Sequence, residues 1–394
     1  MTTEIQGVKL DDSGERSAPV LPRDIVTDEL VFNMGPQHPS THGVLRVVLR
    51  TDGEVVLDAQ PLVGNLHRSC EKILENLTYV QGLPYVDRMD YLGAINMELG
   101  LVLSVEKAAA IEVPKRAQYL RVIMCEINRV ISHLFAAGQF GLDMGAFTPF
   151  LYMFREREDG LTLLNEITGG RLLYHYIRYG GVTRDASEEW CKKCLAWVAN
   201  VESHMSEYNN LLTYNHIFLN RTCGVAMIDR ETVLKYGATG PILRGAGVNR
   251  DLRKDMPYSS YEDFDFEVPV APFEHGVAGD SWNRHRQRLL EAEQSLKIIR
   301  QAIEKMPDGE VQHKKVTRGW KAPPGEAYVA SEAPRGEISC YFVSDGGRYP
   351  YRARMRGPSF YNISLLTETS RGLLIGDLIA LMGSIDITLG ECDR

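Results

Sequence analysis

The chain has 394 residues, 44% of them hydrophobic, which is enough for a large core or two fused ones. Its 44 Lys and Arg against 52 Asp and Glu give a net charge of -8 and argue against a nucleic-acid-binding surface, because neutralising phosphates needs clustered positive charge. No apolar run approaches the roughly 20 residues that cross a bilayer; the greasiest stretch, Leu373 to Leu389, is broken by Asp377 and Asp386.

Residues 1–30 are polar and proline-bearing, without the pattern of a signal peptide, and read as a flexible or partner-wrapping extension. Glu29 to Leu57 is strand-like, with Val44 to Leu49 and Val55 to Leu57 flanking the turn signal Thr51-Asp52-Gly53, so a hairpin is expected. After Pro114, apolar residues at Leu120, Ile123, Ile127, Val130, Ile131 and Leu134 predict a buried helix face. Asp185 to Leu211 and Trp282 to Met306 are further helices. Beyond Pro324, Tyr328 to Val329, Ile338 to Val343 and Tyr351 to Met355 alternate around Asp345-Gly346-Gly347, a second hairpin signal. The class is α+β, with small sheets near both ends of a helical body. One domain is expected over 31–394: a β region at 31–100, the helical body at 101–310, and a β region with a tail at 320–394. Seven cysteines without a framework fit a reducing compartment, and the chain is expected to be soluble and held at any membrane by partners.

Four constellations invite chemistry. His38 and His42 lie in a Gly/Pro-bounded loop and suit metal ligation, proton handling or turn stabilisation; no third ligand stands at motif distance, which favours the turn. In Tyr85 to Tyr91, a tyrosine among charges is either a tuned proton donor or a core aromatic with a satisfied hydroxyl. Cys191 and Cys194 have half-site spacing, but no second pair exists and the segment is helical. Phe154 to Glu158 reads as a charged helix face. Nucleotide-binding and acyl-transfer motifs are absent from the sequence.

The order of the motifs is more specific than any one of them. Gly35-Pro36-Gln37-His38-Pro39-Ser40-Thr41-His42-Gly43 is followed by Leu66-His67-Arg68-Ser69-Cys70-Glu71-Lys72, Arg88-Met89-Asp90-Tyr91, Gly141-Leu142-Asp143-Met144-Gly145, Tyr176-Ile177-Arg178, Leu243-Arg244-Gly245-Ala246-Gly247 and the terminal Asp393-Arg394. Over 30–394 this resembles the D-subunit family of respiratory complex I, the proton-pumping NADH:quinone oxidoreductase. That family is related to the large subunits of nickel–iron hydrogenases, whose four cysteines would fall here at Asp90, Gly93, Thr388 and Glu391. None of these is cysteine, so a soft nickel–iron site has no ligands.

The resemblance implies a hydrogenase-like fold and a quinone-reduction site shared with the B subunit of that complex. Tyr91 and His42 would hydrogen-bond the quinone headgroup, Asp143 would partner His42, and Arg68 and Arg88 would lie near a 4Fe-4S cluster held by the B subunit. The chain would bind no metal or cluster itself. Implied partners are the B and C subunits, other peripheral-arm subunits and the membrane-arm H subunit, on the cytoplasmic side of the bacterial inner membrane. The alternatives are the equivalent subunit of the photosynthetic ferredoxin:plastoquinone complex, whose pattern has tryptophan at Met89, or a purely scaffolding subunit. One departure stands out: the family's cluster-adjacent histidine falls at Leu173, and His175, two residues on, would point elsewhere on a regular element. The quinone, ubiquinone or menaquinone, is left open.

Overall fold

The computed structural model describes residues 29–37, 39–314, 316 and 319–394. Residues 1–28 of the expected extension, and His38, lie outside the described residues. Strand β1 (Glu29–Met34) already begins at Glu29 and pairs antiparallel with β2 (Arg46–Asp52). Strand β2 turns through Gly53, at φ +58°, into β3 (Val55–Leu62), which is the expected hairpin. Alternation along β2 buries Val47, Leu49 and Thr51 on one face. Between β1 and β2, Gly35 adopts φ +81°, and a Cβ there would collide with the Leu45 carbonyl and Thr41, so only glycine fits.

Short helices α1 (Cys70–Leu74) and α2 (Tyr79–Asp87) lead into α3 (Ala94–Ala108). Helix α4 (Lys115–Asp143) is the axis of the molecule, buried along most of its length. It packs against α5 (Phe147–Thr168), which stops at Gly169 in the left-handed conformation that favours glycine. The two-residue strands β4 (Ile177–Arg178) and β5 (Gly181–Val182) precede α6 (Glu188–Tyr208), capped by Ser187 accepting from the Trp190 N–H at 3.1 Å. Helices α7 (His216–Thr222), α8 (Arg230–Tyr236), α9 (Pro241–Gly245) and α10 (Leu252–Asp255) connect to α11 (Ser281–Glu304), which lies along α4. Cys191 and Cys194 are buried on α6, as a helical reading requires. The Phe154 to Glu158 face is less simple than a solvated charge run: Arg155 and Glu158 are exposed, but Glu156 is buried and accepts a hydrogen bond from Tyr208.

Buried ion pairs tie α9 and α10 to the packed helices α4 and α11. Arg253 bridges Glu126 (3.0 Å) and Asp251 (2.7 Å), while Arg244 bridges Glu291 (2.7 Å) and Glu332 (2.8 Å), all buried. Paired this way the charges avoid the cost of an isolated buried ion. Apolar periodicity alone found these helices but hid their charged seam.

Strands β6 (Gly325–Ala333), β7 (Gly336–Ser344) and β8 (Arg352–Arg356) form the second three-stranded sheet. The β6–β7 turn is only Pro334-Arg335, and its tip enters the core. The expected C-terminal β region ends at Arg356. The rest of the chain is helical: α12 (Pro358–Ser364), α13 (Leu366–Thr369), α14 (Ile375–Ile385) and α15 (Leu389–Asp393). Proline at the first turn of α12, and Leu378, Leu381, Met382 and Ile385 on the buried side of α14, account for that change. One hydrophobic core runs from Met34 to Cys392. Among the described residues no helix is long and apolar enough to cross a membrane.

Candidate functional site

The segment between α2 and α3 meets the C-terminal tail at a cavity of about 400 Å³. Its lining includes Arg68, Arg88, Tyr91, Leu172, Leu173 and Gly390. Gly390 allows the tail to close on the α2–α3 segment, since a Cβ there would meet the Met89 carbonyl. Tyr91 is 36% exposed and reachable from the cavity. Arg88 donates to the Pro84 carbonyl one turn back along α2.

Beneath Tyr91 lies a buried charged floor. Arg335, delivered by the β6–β7 turn, places Nη1 3.0 Å from Asp90 Oδ2 and Nη2 3.2 Å from Asp386 Oδ1. Thr388 Oγ1 donates to Asp90 Oδ1 at 3.3 Å. Glu391 accepts from the Ser359 N–H at 2.9 Å and also from its hydroxyl. Burial and the nearby Asp90 push the Glu391 carboxyl up to about 8, so it is mostly protonated at neutral pH. A Cβ at Gly93 would strike the Asp90 carboxylate. Positions 90, 93, 388 and 391, picked out by counting along the chain, thus converge in space. Side-chain oxygens stand at 90, 388 and 391 and glycine at 93, and Arg335 holds Asp90 among them.

His42 sits at φ +53°, exposed in the isolated chain but crowded on its protein side. That crowding lowers its pKa; Asp386 raises it in opposition and Arg335 adds to the lowering. Burial likewise raises the Tyr91 pKa, Arg335 opposes, and Asp90 and Asp386 add to the rise. Tyr91 and His42 therefore both feel the charges of Arg335 and Asp386. Asp143 does not join them as expected: among the described residues no hydrogen bond links it to His42. It closes α4, accepts from Gln139 Nε2 at 3.3 Å, and lies against α14 at Gly383. Burial pushes its carboxyl up to about 6.

Arg68 and Arg88 both reach the cavity, as does Leu173. The backbone here is irregular rather than regular, with Leu173 at φ +59° and His175 at φ +53°. The His175 ring nonetheless turns away from the cavity, to Glu98 at 3.1 Å. Sequence reasoning missed Arg335 and Asp386. Asp386 was visible only as a charge breaking an apolar run. Arg335 gave no signal, because an arginine in a two-residue turn ordinarily faces water.

Comparison with known proteins places these residues in context. Residues 143–317 and 311–394 match the family described as respiratory-chain NADH dehydrogenase, 49 Kd subunit. The D subunit of NADH-quinone oxidoreductase from Bacillus cereus is 47% identical over 369 residues, covering 94% of this chain and 100% of the relative. The equivalent protein of Bacillus mycoides, of the same name, is 48% identical over the same shares. That of Geobacillus thermodenitrificans is 49% identical over 368 residues, 93% of this chain and 99% of the relative.

Proposed function

Given that the chain belongs to the family of the respiratory-chain NADH dehydrogenase 49 Kd subunit, as a D subunit of NADH-quinone oxidoreductase, we propose that its cavity receives the quinone headgroup and that Tyr91 and His42 bind it. The observation that carries this reading is that Tyr91 lines the cavity above the buried Arg335, whose charge together with that of Asp386 acts on both Tyr91 and His42, although His42 itself is not part of the cavity lining. Reduction of a quinone to a quinol takes two electrons and two protons, and negative charge develops on the two carbonyl oxygens. The Tyr91 phenol is a hydrogen-bond donor to one oxygen. Its raised pKa keeps the proton in place until the bound quinone is reduced, when transfer becomes favourable. His42, neutral at pH 7 because its pKa is lowered, offers one ring N–H to the other oxygen. Arg335 is fixed by its two carboxylates and supplies preorganised positive charge close by, at no cost of reorganisation during the reaction.

Electrons would arrive from a 4Fe-4S cluster held by the B subunit, on the side lined by Arg68 and Arg88, whose positive charge favours the reduced cluster. In this reading the fold descends from that of nickel–iron hydrogenase large subunits, and the convergence of Asp90, Gly93, Thr388 and Glu391 supports it. We assign residues 31–394 to one domain. Its partners are the B and C subunits, other peripheral-arm subunits and the membrane-arm H subunit, on the cytoplasmic side of the bacterial inner membrane. Met89 and relatives named for NADH favour the respiratory donor over ferredoxin.

Photoaffinity labelling of the assembled enzyme with an azidoquinone tests the assignment. Label in the peptides carrying His42 or Tyr91, suppressed by excess quinone, is expected. Competable label confined to other segments would refute it.

A further inference from the structure

Behind Arg88 in the cavity wall, three titratable side chains meet: Asp87 at the end of α2, Glu98 on α3, and His175 in the irregular segment before β4. One donor atom from each lies within 4.8 Å of the other two. Glu98 Oε1 stands 3.1 Å from His175 Nδ1. Its Oε2 accepts the backbone N–H groups of Tyr176 (3.2 Å) and Ile177 (3.1 Å), which fixes the carboxylate plane.

Asp87 is the unexplained member. It is 1% exposed, no N–H or hydroxyl donates to its oxygens among the described residues, and what faces it is the Glu98 carboxyl, so that burial first and then Glu98 push its pKa well above the usual carboxylate range. Two arginines are near, but their hydrogen bonds go elsewhere: Arg88 to the Pro84 carbonyl and Arg178 Nη1 to the Ile177 carbonyl at 3.1 Å. Two buried carboxylates facing one another require a positive species between them, because neither has water to screen it. That species is either a proton or a metal cation.

We propose that Asp87, Glu98 and His175 form a site for one divalent transition-metal cation, with zinc the best-matched ion. The donor set is one imidazole nitrogen and two carboxylates. Calcium and magnesium take oxygen ligands, and the softest ions call for thiolates or thioethers, so a mixed nitrogen–oxygen triad selects between those extremes. The 3.1 Å separation of Glu98 and His175 is close to the edge of about 3.3 Å of a tetrahedron with bonds of about 2.0–2.1 Å. Asp87 would close by a side-chain adjustment. His175 is only half-buried, which leaves a fourth position to solvent, as three-ligand zinc sites do. The backbone N–H groups on Glu98 supply the outer hydrogen bonds that orient a ligand. Burial and the Arg178 charge lower the His175 pKa, which keeps the ring neutral and able to ligate. An ion here would also anchor the segment that presents Leu172 and Leu173 to the cavity. The proposal does not depend on what that cavity binds.

The test uses the purified full-length chain, stripped with chelator and titrated with zinc chloride by calorimetry, with cobalt(II) absorption as a geometric reporter and thermal melts alongside. One equivalent of zinc, a rise in Tm and a tetrahedral cobalt spectrum are expected. Asp87→Asn, which keeps the side-chain shape and a donor towards Glu98 and should fold at least as well, and His175→Asn should each weaken zinc binding at least tenfold and abolish the cobalt signature. No zinc binding by the folded wild type would mean that a shared proton fills the gap, and would overturn the proposal. Binding retained in both variants would place the zinc elsewhere and overturn it equally.

Discussion

Thr388 donates from Oγ1 to Asp90 Oδ1 at 3.3 Å, joining residues 298 apart in the chain. In the proposed hydrogenase ancestry, both positions correspond to thiolate ligands of nickel and iron. Here the alcohol donates to the carboxylate, and the carboxylate holds Arg335. Hard oxygen donors neutralised by a guanidinium have little affinity for nickel. The folded full chain is expected to contain no nickel by elemental analysis, and a stoichiometric amount would contradict the reading of this floor.

Arg335, fully buried, neutralises the buried Asp90 and the partly buried Asp386. Arg335→Met would strand two carboxylates and is expected to destabilise the chain by about 3–5 kcal/mol. Adding Asp90→Asn should recover part of that loss. Urea unfolding of the wild type and both variants measures it. A loss under about 1 kcal/mol would mean that water, and not Arg335, stabilises the pair.

The Tyr91 hydroxyl has no hydrogen-bond partner among the described residues, so Tyr91→Phe removes no internal bond. Assembly should be unchanged. Quinone reductase turnover is expected to fall about 10²–10³-fold, the usual effect of losing one donor to a developing oxyanion. Full turnover with several quinones would exclude Tyr91 as a headgroup ligand.

Asp143 has its pKa raised to about 6 by burial. Below an unfolded value of about 3.9 both states are protonated and there is no effect. As pH rises from there through 6, the unfolded chain ionises first and native stability falls, the reverse of a salt-bridged carboxylate. Asp143→Asn should therefore stabilise the chain at pH 7.5 relative to pH 4, by about 1 kcal/mol after discounting for partial exposure. Urea midpoints at the two pH values report it; equal midpoint shifts would show that the carboxyl titrates normally. His42→Ala is expected to lower quinone turnover in the assembled enzyme, whereas Asp143→Asn, which loses no contact with His42, should leave turnover little changed. If His42→Ala blocks assembly instead, the residue's role is structural.

Leu173 lines the cavity while the His175 ring is engaged with Glu98. Leucine cannot titrate, so the 4Fe-4S cluster that the proposed function places in the B subunit should have a potential nearly independent of pH between about 6 and 8, whereas a coupled histidine would give about 59 mV per pH unit. Such a cluster, without an imidazole donor, suits a low-potential quinone such as menaquinone. Redox titration followed by electron paramagnetic resonance should find a flat slope that steepens in Leu173→His. A steep slope in the wild type that disappears in His175→Leu would assign the coupling to His175.

Local pattern carried much of the fold. The 3.6-residue spacing after Pro114 is α4, Asp52-Gly53 and Asp345-Gly346 do lie between paired strands, and the departure of Leu173 from the family pattern was plain from order alone. These features depend on neighbours a few residues apart, which is the range over which periodicity and turn chemistry act. Counting along motifs also gave Asp90, Gly93, Thr388 and Glu391, though only as positions. Tertiary packing decided what sits among them. Arg335 reaches Asp90 across 245 residues because a two-residue turn drives its tip into the core. Asp143 turns to Gln139 and α14. Asp87, Glu98 and His175 meet although nothing in their spacing links them. Pairings of buried charges are set by which surfaces dock and by the need to neutralise each ion once water is gone, and a single sequence encodes those only through the completed fold.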